Sequence, residues 1–132
     1  MNGKKNGEGK EFYNNGKIHF ESEYLNGVKN GKGKEFYTND ILIYEGGYLN
    51  GLKNGKGKDY YTNGHLQYDG EYLNGLKHGK GKEYFNVKDE LIFEGEYLNG
   101  KRWNGYGKEN YIYFGGKFEF EGNYINGKKI KK

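Results

Sequence analysis

The sequence contains no cysteine and only one tryptophan in 132 residues. Without cysteine, neither a disulfide framework nor a thiolate metal site can form. No apolar run is long enough to cross a membrane. The first ten residues, MNGKKNGEGK, lack the apolar segment of a secretory signal peptide. We therefore expect an intracellular, cytoplasmic protein, with peripheral contact to a membrane left open.

Apolar residues are also scarce, at 33%, which would favour disorder in a chain without periodicity. The 15 tyrosines and 8 phenylalanines argue for a folded chain, because each aromatic side chain buries a large area even in a thin fold. The formal net charge of +4 is mild and suits many classes of partner. At this length a single domain is the default expectation.

The chain is an array of internal repeats. The motif G-x-G-K begins at Gly7, Gly31, Gly55, Gly79 and Gly105, in steps of 24, 24, 24 and 26 residues. The extra residues gather toward the C-terminus, in FNVKDELIF, at Trp103 and in YIYFGGKFEF. We interpret residues 1–132 as one repeat domain. Its units cover about residues 7–30, 31–54, 55–78, 79–104 and 105–132, and the last unit is irregular.

Each unit reads as two β-strands, one like GKGKEFY and one like IYEGGYL. Aromatic and polar residues alternate in both, which is the period of a strand. The dipeptides Asn15-Gly16 and Asn63-Gly64 between them predict type I′ hairpin turns, and the many glycines disfavour helix. The predicted fold is all-β, an elongated single-layer antiparallel meander of about five β-hairpin repeats with about ten strands.

A strand register follows from these turns. A two-residue turn at Asn63-Gly64 pairs Gly57 with Gly70, and a turn over residues 51–54 pairs Tyr48 with Gly57. Both registers place tyrosines and glycines on one face and charged residues on the other. We expect a neighbouring aromatic ring to cover each strand glycine, so the following glycines are predicted to be structural: Gly33, Gly46, Gly57, Gly70, Gly81 and Gly95.

The recurring positions resemble the MORN repeat (membrane occupation and recognition nexus), whose pattern is close to Y-x-G-x-[WY]-x-x-G-x-x-x-G-x-G-x-x-x-Y. The matching positions in one unit are Tyr44, Gly46, Tyr48, Gly51, Gly55, Gly57 and Tyr61. The resemblance implies a twisted single-layer sheet of hairpins, and roles in scaffolding, self-association and recruitment at membranes. Ser22 stands where a glycine is usual and Asn110 where an aromatic is usual, so the first and last units suit capping roles.

Two sets of residues are candidates for binding. The aromatic face, which is either structural or an apolar interface if it is exposed, comprises Tyr24, Tyr37, Tyr44, Tyr48, Tyr61, Tyr68, Tyr72, Phe85, Phe93 and Tyr97. The loops of the type NG-x-K-x-G are expected at one rim of the sheet. They would form a basic rim for an anionic or lipid surface, comprising Lys5, Lys29, Lys53, Lys77, Lys101, Arg102, Lys128 and Lys129.

No catalytic constellation is apparent. The run Gly51-x-x-x-Gly55-Lys56-Gly57 has the wrong spacing for a phosphate loop and recurs in every unit. His19, His65 and His78 have no neighbouring histidine to complete a metal site, and the acids face lysines across the predicted sheet. We predict that the protein is not an enzyme and has no catalytic residues, metal ligands, cofactor or small-molecule substrate.

The function that these features favour is a non-catalytic repeat scaffold or protein-interaction module, with a protein partner or a second copy of the chain as its ligand. One alternative is peripheral binding to an anionic membrane through the basic rim. A further alternative is a carbohydrate-binding repeat module, which the single tryptophan and the absence of a signal peptide disfavour. Nucleic acid is not an expected partner, because many lysines face acids.

Overall fold

The structure, a computed structural model, describes residues 5–86 and 90–130, without the side chains of Tyr111 and Tyr113. Eleven strands form one open antiparallel sheet, each paired with the next along the chain. They are β1 (Gly7–Phe12), β2 (Ile18–Leu25), β3 (Val28–Phe36), β4 (Leu42–Leu49), β5 (Leu52–Tyr60), β6 (Leu66–Leu73), β7 (Leu76–Tyr84), β8 (Leu91–Leu98), β9 (Lys101–Tyr113), β10 (Gly116–Ile125) and β11 (Lys128–Ile130). The predicted all-β meander is confirmed, with five hairpins and a short eleventh strand. Within the described part of the chain no helix could span a membrane.

One rim of the sheet is built from two-residue Asn-Gly turns. In the turn between β4 and β5, Asn50 and Gly51 have φ angles of 52° and 85°. Positive φ at both central residues defines a type I′ turn, which matches the twist of a hairpin. The same turn recurs at Asn26-Gly27, Asn74-Gly75, Asn99-Gly100 and Asn126-Gly127. The turn expected over residues 51–54 is therefore wrong, because the preceding Asn-Gly pair already closes the hairpin.

The opposite rim uses a different turn. In the connection between β5 and β6 only Gly64 has a positive φ, of 89°, and its N–H donates to Tyr61 O at 2.9 Å. Tyr61 N–H donates to His65 O at 2.9 Å, which makes a three-residue loop. Asn63 is there because its side-chain oxygen accepts a hydrogen bond from His65 N–H at 3.0 Å. The predicted type I′ turns at Asn15-Gly16 and Asn63-Gly64 are therefore wrong in type. The segment FNVKDELIF, in which the sequence predicted an extra residue, includes residues 87–89, and these lie outside the described residues.

The register between β5 and β6 is confirmed, since Gly57 pairs with Gly70 and Asp59 with Tyr68. The register between β4 and β5 differs from the prediction by an even number of residues. Gly57 pairs with Gly46, and Tyr48 pairs with Lys53 across a bulge. The shift is two residues at Gly57 and four at Tyr48. An even shift leaves the paired side chains of β4 and β5 on their predicted faces, because the side-chain period of a strand is two.

A continuous glycine stripe crosses the sheet through one residue of each successive strand: Gly9, Ser22, Gly33, Gly46, Gly57, Gly70, Gly81, Gly95 and Gly105. A Cβ atom on Gly57 would lie 2.5 Å from Tyr44 Oη and 2.6 Å from its Cε1 atom. The ring that covers Gly57 is thus that of Tyr44 and not, as the predicted register implied, that of Tyr48. Tyr68 covers Gly81 in the same way, at 2.5 Å. Bare backbone at the stripe is what allows aromatic rings to lie flat on a single sheet.

Replacing Gly57 by alanine tests this packing. The added methyl group has no space under the Tyr44 ring, so Gly57→Ala is expected to lower the free energy of unfolding by about 1–3 kcal/mol. The matched control is Gly64→Asn at the turn. A side chain there meets nothing within 4 Å, and asparagine tolerates a positive φ. Urea unfolding of both variants measures the difference, and equal stability of Gly57→Ala and the wild type would contradict the observed packing.

Candidate functional site

Eight buried rings on the aromatic face form one continuous zigzag, and Tyr24 is buried outside it. Successive rings meet edge to face, with Tyr44 and Tyr48 at 5.4 Å between centroids and 76° between planes. The contacts continue through Tyr48, Tyr44, Tyr72, Tyr68, Tyr97, Phe93, Tyr124 and Phe120, in that spatial order. Tyr44 and Tyr68 are fully buried. Edge-to-face contact is a favoured arrangement of aromatic pairs, so the rings of each repeat are held by those of the next.

Cations complete the cover of this face. The Lys53 ammonium lies 4.5 Å from the centroid of the Tyr44 ring and 5.4 Å from that of Tyr72. Lys29, Lys77 and Arg102 occupy the equivalent places in neighbouring repeats. Each cation thus bridges two rings from successive repeats, and such contacts are worth about 0.5–1 kcal/mol at exposed sites.

The basic rim expected from the sequence is therefore not a row of free side chains at the turns. Because the turns are the Asn-Gly pairs, Lys29, Lys53, Lys77 and Arg102 fall inside β3, β5, β7 and β9, with their side chains over the rings. The remaining members are exposed and lie toward the two ends of the array: Lys5, Lys101, Lys128 and Lys129. The structure thus places the cations of the middle repeats on the aromatic face.

Carboxylates alternate with these cations. Lys53 forms an ion pair with Asp59 at 3.0 Å. Tyr124 donates a hydrogen bond to Glu109 at 2.6 Å, and the hydroxyls of Tyr24 and Tyr97 donate to Glu11 and Glu83 in the same manner. Two hydroxyls in the middle of the array differ. Those of Tyr48 and Tyr72 are buried and have no hydrogen-bond partner among the described residues.

The missing partners have local causes. Asp59 occupies, for Tyr72, the position from which a glutamate accepts a hydrogen bond from the tyrosine hydroxyl in other repeats. Its side chain is one methylene shorter than glutamate and bonds to Lys53 instead. The acid that belongs with Tyr48 is Glu35, which lies 3.4 Å from His19 Nε2. A buried hydroxyl without a partner loses its hydration without compensation. Both hydroxyls therefore lower the stability of the row of tyrosines, acids and cations.

Arg102 is the most connected residue of the row. Its Nε and Nη2 atoms donate to the two oxygens of Glu83 at 3.0 and 3.1 Å, and its Nη1 atom donates to Tyr124 Oη at 2.7 Å. Burial by itself would raise the pKa of Glu83, but the hydrogen bonds from Arg102 and Tyr97 lower that pKa below its ordinary value. Burial raises the pKa of Tyr124 to about 12. Glu83 thus stays ionised at neutral pH opposite Arg102, and the ion pair links β7 to β9.

Not all predicted members of the aromatic face lie in the zigzag. Tyr37 and Tyr61 are half-buried at the turns of the opposite rim, and their hydroxyls donate to Tyr60 O and Tyr84 O in the following repeat. Phe85 is 46% exposed. The bulge just before each of these turns takes them out of the alternation that the sequence pattern assumed. Phe120 and Tyr124 belong to the zigzag but were not singled out, because they lie in the irregular last unit.

The Asn-Gly rim instead carries a row of apolar side chains, which we call the leucine rim: Leu25, Val28, Leu49, Leu52, Leu73, Leu76, Leu98 and Ile125. Each turn is flanked by a directly paired couple such as Leu49 and Leu52, on the face opposite the rings. All eight are exposed, by 36–52%. Neighbouring turns also touch, since Gly75 N–H donates to Lys53 O at 2.9 Å. The recurring segment YLNGL is the sequence signal for this rim, although the lysines that follow it predicted a basic edge there.

Away from the leucine rim, the face opposite the rings is polar. Paired lysines and acids, such as Lys34 and Glu45 at 4.0 Å, flank a shallow groove whose floor is the glycine stripe.

The last hairpin departs from the others, since β9 and β10 continue to a turn that exposes Ile112 by 86% and Phe114 fully. Trp103 packs against the last Asn-Gly turn, where a Cβ atom on Gly127 would lie 3.0 Å from its ring. Among residues 5–86 and 90–130 no cluster of histidines and acids could hold a metal ion.

Comparison with known proteins gives one finding. The family model described as MORN repeat matches residues 1–18, 20–40, 44–66 and 68–89, which is more than half of the chain. No curated protein matches the sequence. The structure carries the same arrangement beyond the matched residues, because Phe93, Tyr97, Phe120 and Tyr124 extend the zigzag through β10.

Lengthening Asp59 to glutamate tests the explanation for the orphaned Tyr72 hydroxyl. Asp59→Glu is expected to raise the free energy of unfolding by about 0.5–1.5 kcal/mol, because the longer carboxylate reaches that hydroxyl. In a Tyr72→Phe background the gain should disappear. Chemical denaturation of the four proteins of this double-mutant cycle measures the coupling, and an equal effect of Asp59→Glu with and without the hydroxyl would contradict the explanation.

The lowered pKa of Glu83 makes stability depend on pH. A carboxyl group whose pKa is lower in the folded state stabilises it above the pKa of the unfolded chain, and this contribution is lost as the pH falls through the folded pKa. Glu83→Gln is therefore expected to cost on the order of 1–3 kcal/mol at pH 7 and progressively less below about pH 4.5.

The control for this measurement is Glu94→Gln, whose carboxylate is 60% exposed and lies 3.8 Å from Lys82. Exposed pairs contribute little, so its effect should be small at every pH. Thermal melts of both variants between pH 3 and pH 7 give the comparison. A pH-independent deficit in Glu83→Gln would contradict the assignment.

Proposed function

The chain belongs to the MORN-repeat family, and from that premise we propose that it is a non-catalytic repeat scaffold that binds protein partners, including further copies of itself, through the leucine rim. MORN repeats are non-catalytic repeat modules for protein and membrane interaction. The finer assignment to a protein surface is supported by the distribution of apolar groups over the sheet.

The exposed leucine rim is the observation that carries the proposal. The rings of the zigzag, which the sequence predicted to be an interface only if they were exposed, are buried and covered by cations. The leucine rim is apolar, recurs in every repeat and has no cover among the described residues. Contiguous apolar residues exposed along an edge of a protein are characteristic of an interaction surface. A repeat array multiplies one such contact along its length.

Binding to an anionic membrane is the second candidate. Its support is now limited to the exposed members of the predicted basic rim, which are Lys5, Lys101, Lys128 and Lys129. Of these, Lys5 and Lys129 also lie over the rings of Tyr24 and Phe118 and pair with Glu11 and Glu109. Each basic residue near an anionic surface contributes about 1 kcal/mol. The exposed set is split between the two ends of the array, so this reading predicts weak and salt-sensitive binding.

Substitution of the rim tests the proposed function. In Leu25→Ser/Leu49→Ser/Leu73→Ser the rim loses one apolar residue at each of three turns. The matched control is Phe12→Ser, which removes a side chain that is 60% exposed at the opposite rim. We expect sedimentation velocity and quantitative cross-linking in cells to show self-association or a protein contact that the control retains and the triple variant loses. The physical reason is the loss of apolar area that is buried on binding.

The same proteins distinguish the second candidate. Co-sedimentation with vesicles of phosphatidylcholine, with and without phosphatidylserine, should be the same for the wild type and the leucine variant if lipid is not the ligand of the rim. Binding only to anionic vesicles, lost in Lys5→Glu/Lys101→Glu/Lys128→Glu and kept in the leucine variant, would favour the membrane instead. Identical behaviour of all variants in every assay would reject the leucine rim as the interface.

A further inference from the structure

The first three turns of the leucine rim present nearly identical apolar pairs. Leu25 and Val28 are 51% and 44% exposed, Leu49 and Leu52 are 47% and 49% exposed, and Leu73 and Leu76 are 46% and 49% exposed. The turns contact one another directly, since the chain at Val28, Leu52 and Leu76 lies beside Gly51, Gly75 and Gly100 of the next turn. The rim is therefore an unbroken ridge with a regular step.

The step of this ridge fits an α-helix. Successive turns lie two strands apart, which is about 10 Å at the usual spacing between strands. Seven residues of α-helix advance about 10.5 Å and return to nearly the same face. A strand covers about 10 Å in three residues, but an odd number of residues turns the side chain to the other face. A heptad-patterned helix can thus place one apolar seam along all the turns, and an extended peptide cannot.

The ridge also has a direction. At the fourth and fifth turns the second apolar residue is replaced by a cation, since Leu98 pairs with Lys101 and Ile125 pairs with Lys128. Both lysines are exposed and form no ion pair within the described part of the chain. A partner that follows the ridge therefore meets apolar side chains over three turns and then two positive charges.

We propose that the leucine rim binds an amphipathic α-helix of a protein partner, with heptad-spaced apolar residues on the first three turns and acidic residues on Lys101 and Lys128. The proposal rests on the proposed function and names the class of partner. The helix spans the five turns, a distance of about 38 Å, and so needs about 26 residues. Its acidic end fixes which way it lies.

A second copy of the chain is a poorer occupant of the full ridge. Two ridges that pair antiparallel over their whole length place Lys128 against the turn of Leu25 and Val28, and Lys101 against that of Leu49 and Leu52. Four desolvated cations, two from each copy, would then face apolar side chains without a counter-charge, which is costly. A helix with acidic residues at one end avoids this cost, and electrostatic complementarity of this kind sets register.

Fluorescence anisotropy with designed peptides tests the proposal. The probe is a fluorescein-labelled 28-residue peptide of four heptads, with leucine at the first and fourth positions of three heptads and glutamate at those positions of the last. A second peptide has the same composition, but its leucines are spaced five residues apart. A third carries lysine in place of the two glutamates. We expect the first peptide to bind at least tenfold more tightly than either of the others.

Variants of the chain make the test specific. Leu49→Ser/Leu52→Ser is expected to weaken binding of the first peptide at least tenfold, with Leu73→Ser/Leu76→Ser as an independent replicate and Phe12→Ser as the control that leaves it unchanged. Lys101→Glu/Lys128→Glu should weaken the glutamate peptide and strengthen the lysine peptide. Circular dichroism at 222 nm reports the bound helix, and thermal melts confirm that each variant is folded.

Two outcomes overturn the inference. Equal affinity for the first two peptides would contradict binding through heptad-spaced residues. An unchanged preference of Lys101→Glu/Lys128→Glu for the glutamate peptide over the lysine peptide would contradict the assigned direction. Failure of the helix proposal can be distinguished from failure of the proposed function. If the leucine variants still lose a protein contact in cells while no helical peptide binds, the rim remains an interface for a partner of another shape. If neither assay responds to the leucine variants, both proposals fail.

Discussion

The contact of an aromatic ring with bare glycine backbone is the interaction on which this sheet depends. A single layer has no second layer to pack against, so its apolar side chains must be covered by the sheet itself and by one another. The stripe through Gly33, Gly46, Gly57 and Gly70 lets rings lie flat, and the edge-to-face zigzag lets each ring shield the next. Each repeat thus supplies part of the core of its neighbour, which is how repeat arrays gain stability with length.

The polar groups on the same face follow from this packing. Rings that lie flat leave their π-faces open, and a cation from the start of β3, β5, β7 and β9 fills that position. Lys53 over Tyr44 and Arg102 over Phe93 are two examples. Acids bond both to cations and to tyrosine hydroxyls, as Glu83 does for Arg102 and Tyr97, and the only buried hydroxyls left without a partner among the described residues are those of Tyr48 and Tyr72. Since burying a charge without a partner is costly, the alternation of rings, cations and acids behaves as one cooperative unit.

Most of the fold could be predicted from the sequence, because period-2 alternation and an exact repeat leave few other solutions. The faces were also predictable, since a register error of an even number of residues preserves them. The turns were not. Asn-Gly occurs at Asn50-Gly51 and at Asn63-Gly64, and only the flanking pairing decides that the first is a type I′ turn and the second ends a three-residue loop. Because the hairpin closes at Asn50-Gly51, Lys53 lies in β5 over a ring and not in a loop. The sequence pattern therefore did not predict the row of cations over the rings.

Deviations from periodicity are what give the array a direction. In a strictly periodic ridge every turn is equivalent, so a partner of the same period can slide by one repeat without losing a contact. Lys101 and Lys128 remove that equivalence at the fourth and fifth turns, and the extended hairpin that exposes Phe114 marks the same end. A slide of one repeat would bring an acidic partner residue onto an apolar turn and cost its desolvation. In the proposed complex, the nearly identical repeats therefore supply the contact area, and the irregular last units supply the register.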